Sequence, residues 1–66
     1  MQKETTRFIN ENEVATITGL SVQTLRNWRF NGKGFAYVKA GRSVRYQYHA
    51  VIAYMEDRII LPREQV

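Results

Sequence analysis

Gln23, Arg26 and Asn27 are the side chains of this chain best suited to reading base edges, and they lie within one short run. Glutamine and asparagine each offer a paired donor and acceptor that fits adenine, while arginine offers a planar fork that fits guanine O6 and N7. At about 100° per residue, all three fall on the side of a helix away from Leu25 and Trp28, with Phe30 beside them. Groups that bind phosphate surround them. The Ser21 hydroxyl serves first as a helix cap and Thr24 packs at the turn, with a phosphate bond open to each; Arg29 and Lys33 carry charge. Further on, Lys39, Gly41, Arg42 and Arg45 gather about a glycine turn. On an isolated helix such a face would be ordinary solvated surface. Here the glycine turn before it and the basic segment after it favour a polyanion as partner.

The charge pattern agrees. All six acidic residues (Glu4, Glu11, Glu13, Glu56, Asp57, Glu64) lie outside the window Val14 to Met55. Inside that window stand Arg26, Arg29, Lys33, Lys39, Arg42 and Arg45. The net charge is +4, and its clustering is a stronger sign of nucleic acid than its magnitude.

The elements that must position these groups follow from local signals. Residues 1–7 are polar and mixed in charge, and are expected to be a flexible tail. Phe8-Ile9 leads into Asn10, an N-cap, and Glu13 three residues later completes a capping box. A first helix is expected from Glu11 to Thr18, with Val14, Ala15 and Ile17 inward. Gly19 ends it in the left-handed conformation, Leu20 plugs the corner and Ser21 caps a second helix from Val22 to Asn31. In that helix Leu25 and Trp28 face the core. Gly32 stops it, and Lys33-Gly34 forms the exit.

Phe35 to Lys39 and Ser43 to Tyr46 are aromatic and β-branched runs joined by Ala40-Gly41-Arg42, the pattern of a hairpin. A third helix is expected from Tyr48 to Arg58, with Val51, Met55 and either Tyr54 or Ile52 inward. The order is helix, turn, helix, hairpin, helix. This is a mainly α fold with a β-hairpin wing: a small winged helix-turn-helix over residues 8–58. An apolar extension, residues 59–66, follows. Ile59-Ile60-Leu61 either covers the first helix or contacts another protein.

Thr24-Leu25-Arg26-Asn27-Trp28-Arg29, the Gly32-Lys33-Gly34 exit, Val38-Lys39-Ala40-Gly41-Arg42 and Val44-Arg45-Tyr46 together resemble the excisionase and AlpA-like group of MerR-type winged-helix proteins. The resemblance runs from about Phe8 to Glu56. Phe35-Ala36 stand where many members carry prolines, and Ala40 where leucine is frequent. The resemblance implies sequence-specific binding of double-stranded DNA, with the second helix in the major groove and Arg42 of the wing in or beside the minor groove. It also implies a recombination directionality factor that occupies repeated sites, bends DNA and assists an integrase. Neighbouring protomers on DNA are then expected partners. A related reading is an AlpA-like transcriptional regulator, and one of a different class is a protein-interaction module using Phe30, Phe35 and the apolar tail.

Other chemistry finds little support. With no cysteine, disulfides and thiolate metal sites are excluded, and a reducing compartment is the natural setting. His49 stands without a second ligand at metal spacing, and Glu56-Asp57 has no partner for acid/base work. The expectation is no enzyme, no metal and no cofactor. No apolar run approaches the ~18 residues of a membrane span, and the first residues are too polar for a signal peptide. A cytoplasmic protein is expected, nucleoid-associated in a bacterial cell when bound.

Overall fold

The computed structural model describes residues 7–62. Its elements run β1 (Phe8–Ile9), α1 (Glu11–Thr18), α2 (Val22–Phe30), β2 (Tyr37–Ala40), β3 (Ser43–Gln47) and α3 (Tyr48–Glu56). Residues 1–6 of the expected tail and 63–66 of the expected extension lie outside the described residues.

The capping box sets the start of α1. The Asn10 side chain accepts from the Glu13 N–H at 2.8 Å, and the Glu13 carboxylate accepts from the Asn10 N–H at 2.9 Å. Two of the donors that every helix start leaves unpaired are thereby satisfied. Gly19 closes the helix at φ 79°, donating its N–H to the Ala15 carbonyl at 2.8 Å. The Thr18 hydroxyl donates to the Val14 carbonyl at 2.8 Å and accepts from the Leu20 N–H at 3.2 Å, which fixes the corner. Ser21 then caps α2 by accepting from the Thr24 N–H at 3.0 Å. Four residues thus turn the chain from one helix into the next, and every one is set by a local bond.

The second helix ends at Phe30, one residue before the expected Asn31. Gly32 takes φ 69°, its N–H reaching the Arg29 carbonyl at 3.1 Å, while the Lys33 N–H reaches that of Trp28 at 2.8 Å. This paired closure is a Schellman motif, which uses the carbonyls a helix end would otherwise strand.

The hairpin is part of a larger sheet. Three antiparallel strands stand in the order β1-β3-β2. Ile9 lies opposite Tyr46, and so does Tyr37 on the other edge. Phe8-Ile9, read from sequence only as an apolar lead-in, is an edge strand. Arg7, expected in the tail, accepts at its carbonyl from the Tyr48 N–H at 2.8 Å and lays its guanidinium 4.7 Å from the Tyr48 ring centre. The first wing strand begins at Tyr37, two residues later than expected. Phe35 turns inward instead, packing edge-on against Tyr54 at 4.5 Å between ring centres and against Tyr46 at 6.3 Å.

Ile9, Val14, Leu25, Phe35, Tyr46 and Val51 form the buried core, with Ala15, Leu20, Trp28, Val44, Tyr48 and Tyr54 packed around it. Of the pair left open by sequence, Tyr54, not Ile52, packs against the core. Two expected core residues are corrected: Ile17 is 41% exposed and Met55 36%. The apolar side of each helix is wider than the surface available to cover it. A core this small suits a 66-residue chain, because small domains bury a modest share of their surface. Helix α3 ends at Glu56, short of Arg58, whose guanidinium stacks 3.5 Å over the Tyr54 ring and donates to the Tyr54 carbonyl. Ile59, Ile60 and Leu61 are exposed and stand outside the core cluster, which removes the reading of them as core. Among the described residues no helix is long and apolar enough to cross a membrane.

Candidate nucleic-acid interface

Packing of Leu25 and Trp28 fixes which face of α2 is left for a partner. Leu25 is fully buried, and the Trp28 ring lies 5.8 Å from that of Phe35 and 6.3 Å from that of Tyr54. Gln23, Arg26 and Asn27 are consequently exposed, as is Ser21, with Thr24 half-buried. The face is ordered by its own bonds. Gln23 Nε2 donates to Asn27 Oδ1 at 3.1 Å, one helical turn apart, and the Ser21 hydroxyl donates to that of Thr24 at 2.9 Å. Phe30 stands at the end of this helix, 91% exposed.

At the wing tip Gly41 takes φ 63°, which lets Ala40 and Ser43 pair across a two-residue turn. That left-handed conformation is open to glycine without the steric penalty of a side chain. Register then separates the basic residues. Lys39 pairs with Val44 and Arg45 with Val38; since successive strand residues alternate faces, Lys39 and Arg45 project on opposite sides of the sheet. Arg45 donates to the Val44 carbonyl at 2.8 Å.

The two elements meet at a cleft of about 440 Å³ lined by Asn10, Glu11, Asn12, Arg26, Arg29, Arg42, Ser43, Val44 and Arg45. Four arginines line it, Arg26 and Arg29 from α2, Arg42 from the wing turn and Arg45 from β3. Lys33 and Lys39 do not: Lys33 borders a second depression with Gly32, Gly34 and Phe35.

Two of the four arginines are already engaged by other side chains. Arg26 donates to the Glu11 carboxylate through Nη2 at 2.6 Å and Nε at 3.3 Å. Arg29, only 19% exposed at its side chain, donates through Nη1 to the Tyr46 hydroxyl at 2.6 Å and to Glu11 at 3.4 Å. The hydrogen bond from Arg26, reinforced by its charge and by Arg29, holds the Glu11 carboxyl below the usual range, against the opposing effect of its partial burial. Glu11 was the residue sequence reasoning missed. It lies just outside the acid-free window along the chain, and folding brings it into the basic cleft. Its one sequence signal was its place in the first turn of α1.

Three helices, a three-stranded antiparallel sheet and a glycine-tipped wing beside an exposed helix define a winged helix-turn-helix protein. The chain belongs to the helix-turn-helix domain family, whose match spans residues 9–59, and it is a DNA-binding helix-turn-helix protein. No curated protein and no solved structure matches it.

Proposed function

We propose that this protein is an architectural, sequence-specific binder of double-stranded DNA that acts as an excisionase, one of the roles found in its family. The observation that carries the reading is the shared cleft: Arg26 of α2 and Arg42 and Arg45 of the wing line one groove. A sugar–phosphate strand running between helix and wing would meet Arg42 and Arg45 and pass beside Arg26, with α2 in the major groove and the wing tip in the adjacent minor groove. Gln23, Arg26 and Asn27 read bases. Ser21, Thr24, Arg42 and Arg45 hold backbone, with Lys33 and Lys39 at the margins and Gly41 giving the tip its close approach. Arg29 holds Tyr46 and Glu11 in place behind them.

One protomer of this size offers a contact of about 600–1,000 Å², so tight binding needs neighbouring copies on repeated sites. The exposed Phe30 and the exposed Ile59-Ile60-Leu61 are the surfaces through which copies would touch. Bending of the DNA by such an array would then help an integrase assemble the excisive complex.

Footprinting on the DNA flanking the encoding gene, followed by an excision assay with the neighbouring integrase, tests this. Protection of repeated sites with integrase-dependent excision is expected. Protection at a promoter without excision would replace it with the AlpA-like regulatory role. Binding that lacks salt dependence would remove the DNA reading in favour of a protein-interaction module. Arg26→Ala is expected to cost ~1–3 kcal/mol on the specific site and to relax one base pair, with smaller losses for Gln23→Ala and Asn27→Ala.

A further inference from the structure

A carboxylate inside a cleft built to meet a polyanion calls for an explanation. Helix capping does not supply one, because the Asn10 side chain and Glu13 already complete the capping box of α1. Fold stability accounts for the contact with Arg29, where both side chains are about four-fifths buried, but for little of the contact with Arg26, which is 55% exposed, since ion pairs that open to water contribute at most about 1 kcal/mol. The geometry of the pair is more telling. Arg26 has five N–H donors in a rigid plane, and Glu11 takes one edge of it, Nε together with Nη2. The other edge, Nη1 with the remaining Nη2 hydrogen, has no partner among the described residues. That end-on edge presents two parallel donors, the arrangement that matches O6 and N7 of guanine.

The charge acts in the same direction. A phosphate seated at Arg26 would lie against the Glu11 carboxylate, and like charges brought together oppose the wrong ligand. A base edge carries no formal charge and meets no such repulsion. The tether also removes freedom from the arginine before binding, so less is lost when the base contact forms. Arg29 anchors the carboxylate from behind.

From these contacts we infer that Glu11 is a specificity-determining positioning residue: it grips one edge of Arg26, presents the opposite edge to a base and penalises phosphate at that spot. The inference rests on the reading of α2 as the DNA-contacting helix. A carboxylate here lowers affinity for DNA in general while raising the ratio of specific to unspecific binding.

The test uses the intact chain. A duplex is selected by the wild-type protein from a random-sequence pool, and dissociation constants are measured on it and on an unrelated duplex over a salt series. Glu11→Gln is expected to bind the unrelated duplex more tightly, with a salt slope steeper by about one. The ratio between the two duplexes should shrink about tenfold, the scale of one base pair's discrimination. In an Arg26→Ala background the same substitution should leave the ratio unchanged. Arg26→Lys, which keeps the charge beside Glu11 and loses the fork, should shrink the ratio without altering Glu11, and an unchanged ratio there overturns the inference even should Glu11→Gln fail to fold. An unchanged ratio for the folded Glu11→Gln chain, an unchanged ratio for Arg26→Lys, or a loss that persists with Arg26 absent overturns the inference while leaving the DNA reading standing. A wild-type chain that binds neither duplex removes that reading, and this role with it.

Discussion

Gly34→Ala should unfold this domain more readily than any other single-methyl addition at its glycines. Two separate strains arise there. The backbone of Gly34 sits at φ 90°, and an L side chain in left-handed territory costs roughly 1–2 kcal/mol. The added Cβ would also stand 2.4 Å from Trp28 Cε3 and 3.0 Å from Trp28 Cβ. Trp28 cannot easily retreat, because Phe35 and Tyr54 hold its other sides. Overpacking of this kind typically costs a further ~1–3 kcal/mol. Together they approach ~2–5 kcal/mol, comparable with the whole stability of a small domain. Gly32→Ala is the control. Its φ is 69° but nothing lies within 4 Å of a Cβ there, so only the backbone strain applies. Urea unfolding followed by the fluorescence of Trp28, the single tryptophan, and by circular dichroism measures both. With a slope near ~1 kcal/mol per molar urea, the midpoint for Gly34→Ala should fall about 1–3 M further than for Gly32→Ala. Equal midpoints would refute the argument that Trp28 packs directly on the glycine.

Three further outcomes are expected. Arg42→Ala should weaken binding on all duplexes alike and reduce the salt slope by about one; an unchanged slope in a salt titration would make the wing tip a structural turn. Truncation after Arg58 should keep the fold by circular dichroism and lower cooperativity on multi-site DNA more than single-site affinity, since Ile59, Ile60 and Leu61 are exposed and outside the core cluster; unfolding on truncation would return them to the core. The lowered Glu11 carboxyl makes the third prediction. Its contribution to stability is fully present above the ordinary carboxylate range and is lost as pH falls through its depressed value. Glu11→Gln should therefore show a shallower acid limb in a stability-versus-pH series, and identical limbs would mean that the pair adds nothing to the fold.

Features held by bonds between near neighbours were legible in the sequence. The Asn10–Glu13 box, the Gly19 stop, the Ser21 cap and the Gly41 tip each depend on residues no more than a few positions apart, and each stands where the pattern put it. Features made by distant parts of the chain were not. A two-residue strand carries no periodicity, so Phe8-Ile9 gave no sign that Gln47 and Tyr46 would pair with it. Periodicity marks an apolar side but does not supply a neighbour, which is why Ile17 and Met55 read as core and are open to water. Phe35 read as a strand residue because its type favours strands, whereas burial against Tyr54 and Tyr46 decides its place. In the candidate site the exposed residues of α2 followed from Leu25 and Trp28. The Glu11–Arg26 pair did not, because charge counted along a chain says nothing of which charges fold together.

Ile9 and Glu11 are separated by Asn10 alone, a residue whose own N–H and side chain are both bonded to Glu13. The sheet therefore joins α1 through a single bonded residue, and Tyr46, paired with Ile9, reaches across to Arg29 of α2. Wing and helix are braced as two jaws of a fixed caliper. A clamp braced in this way would pass mechanical work to whatever lies between its jaws. On the proposed reading of an architectural binder, discrimination would extend to how willingly a duplex bends: stiff sequences would lose at positions no side chain touches.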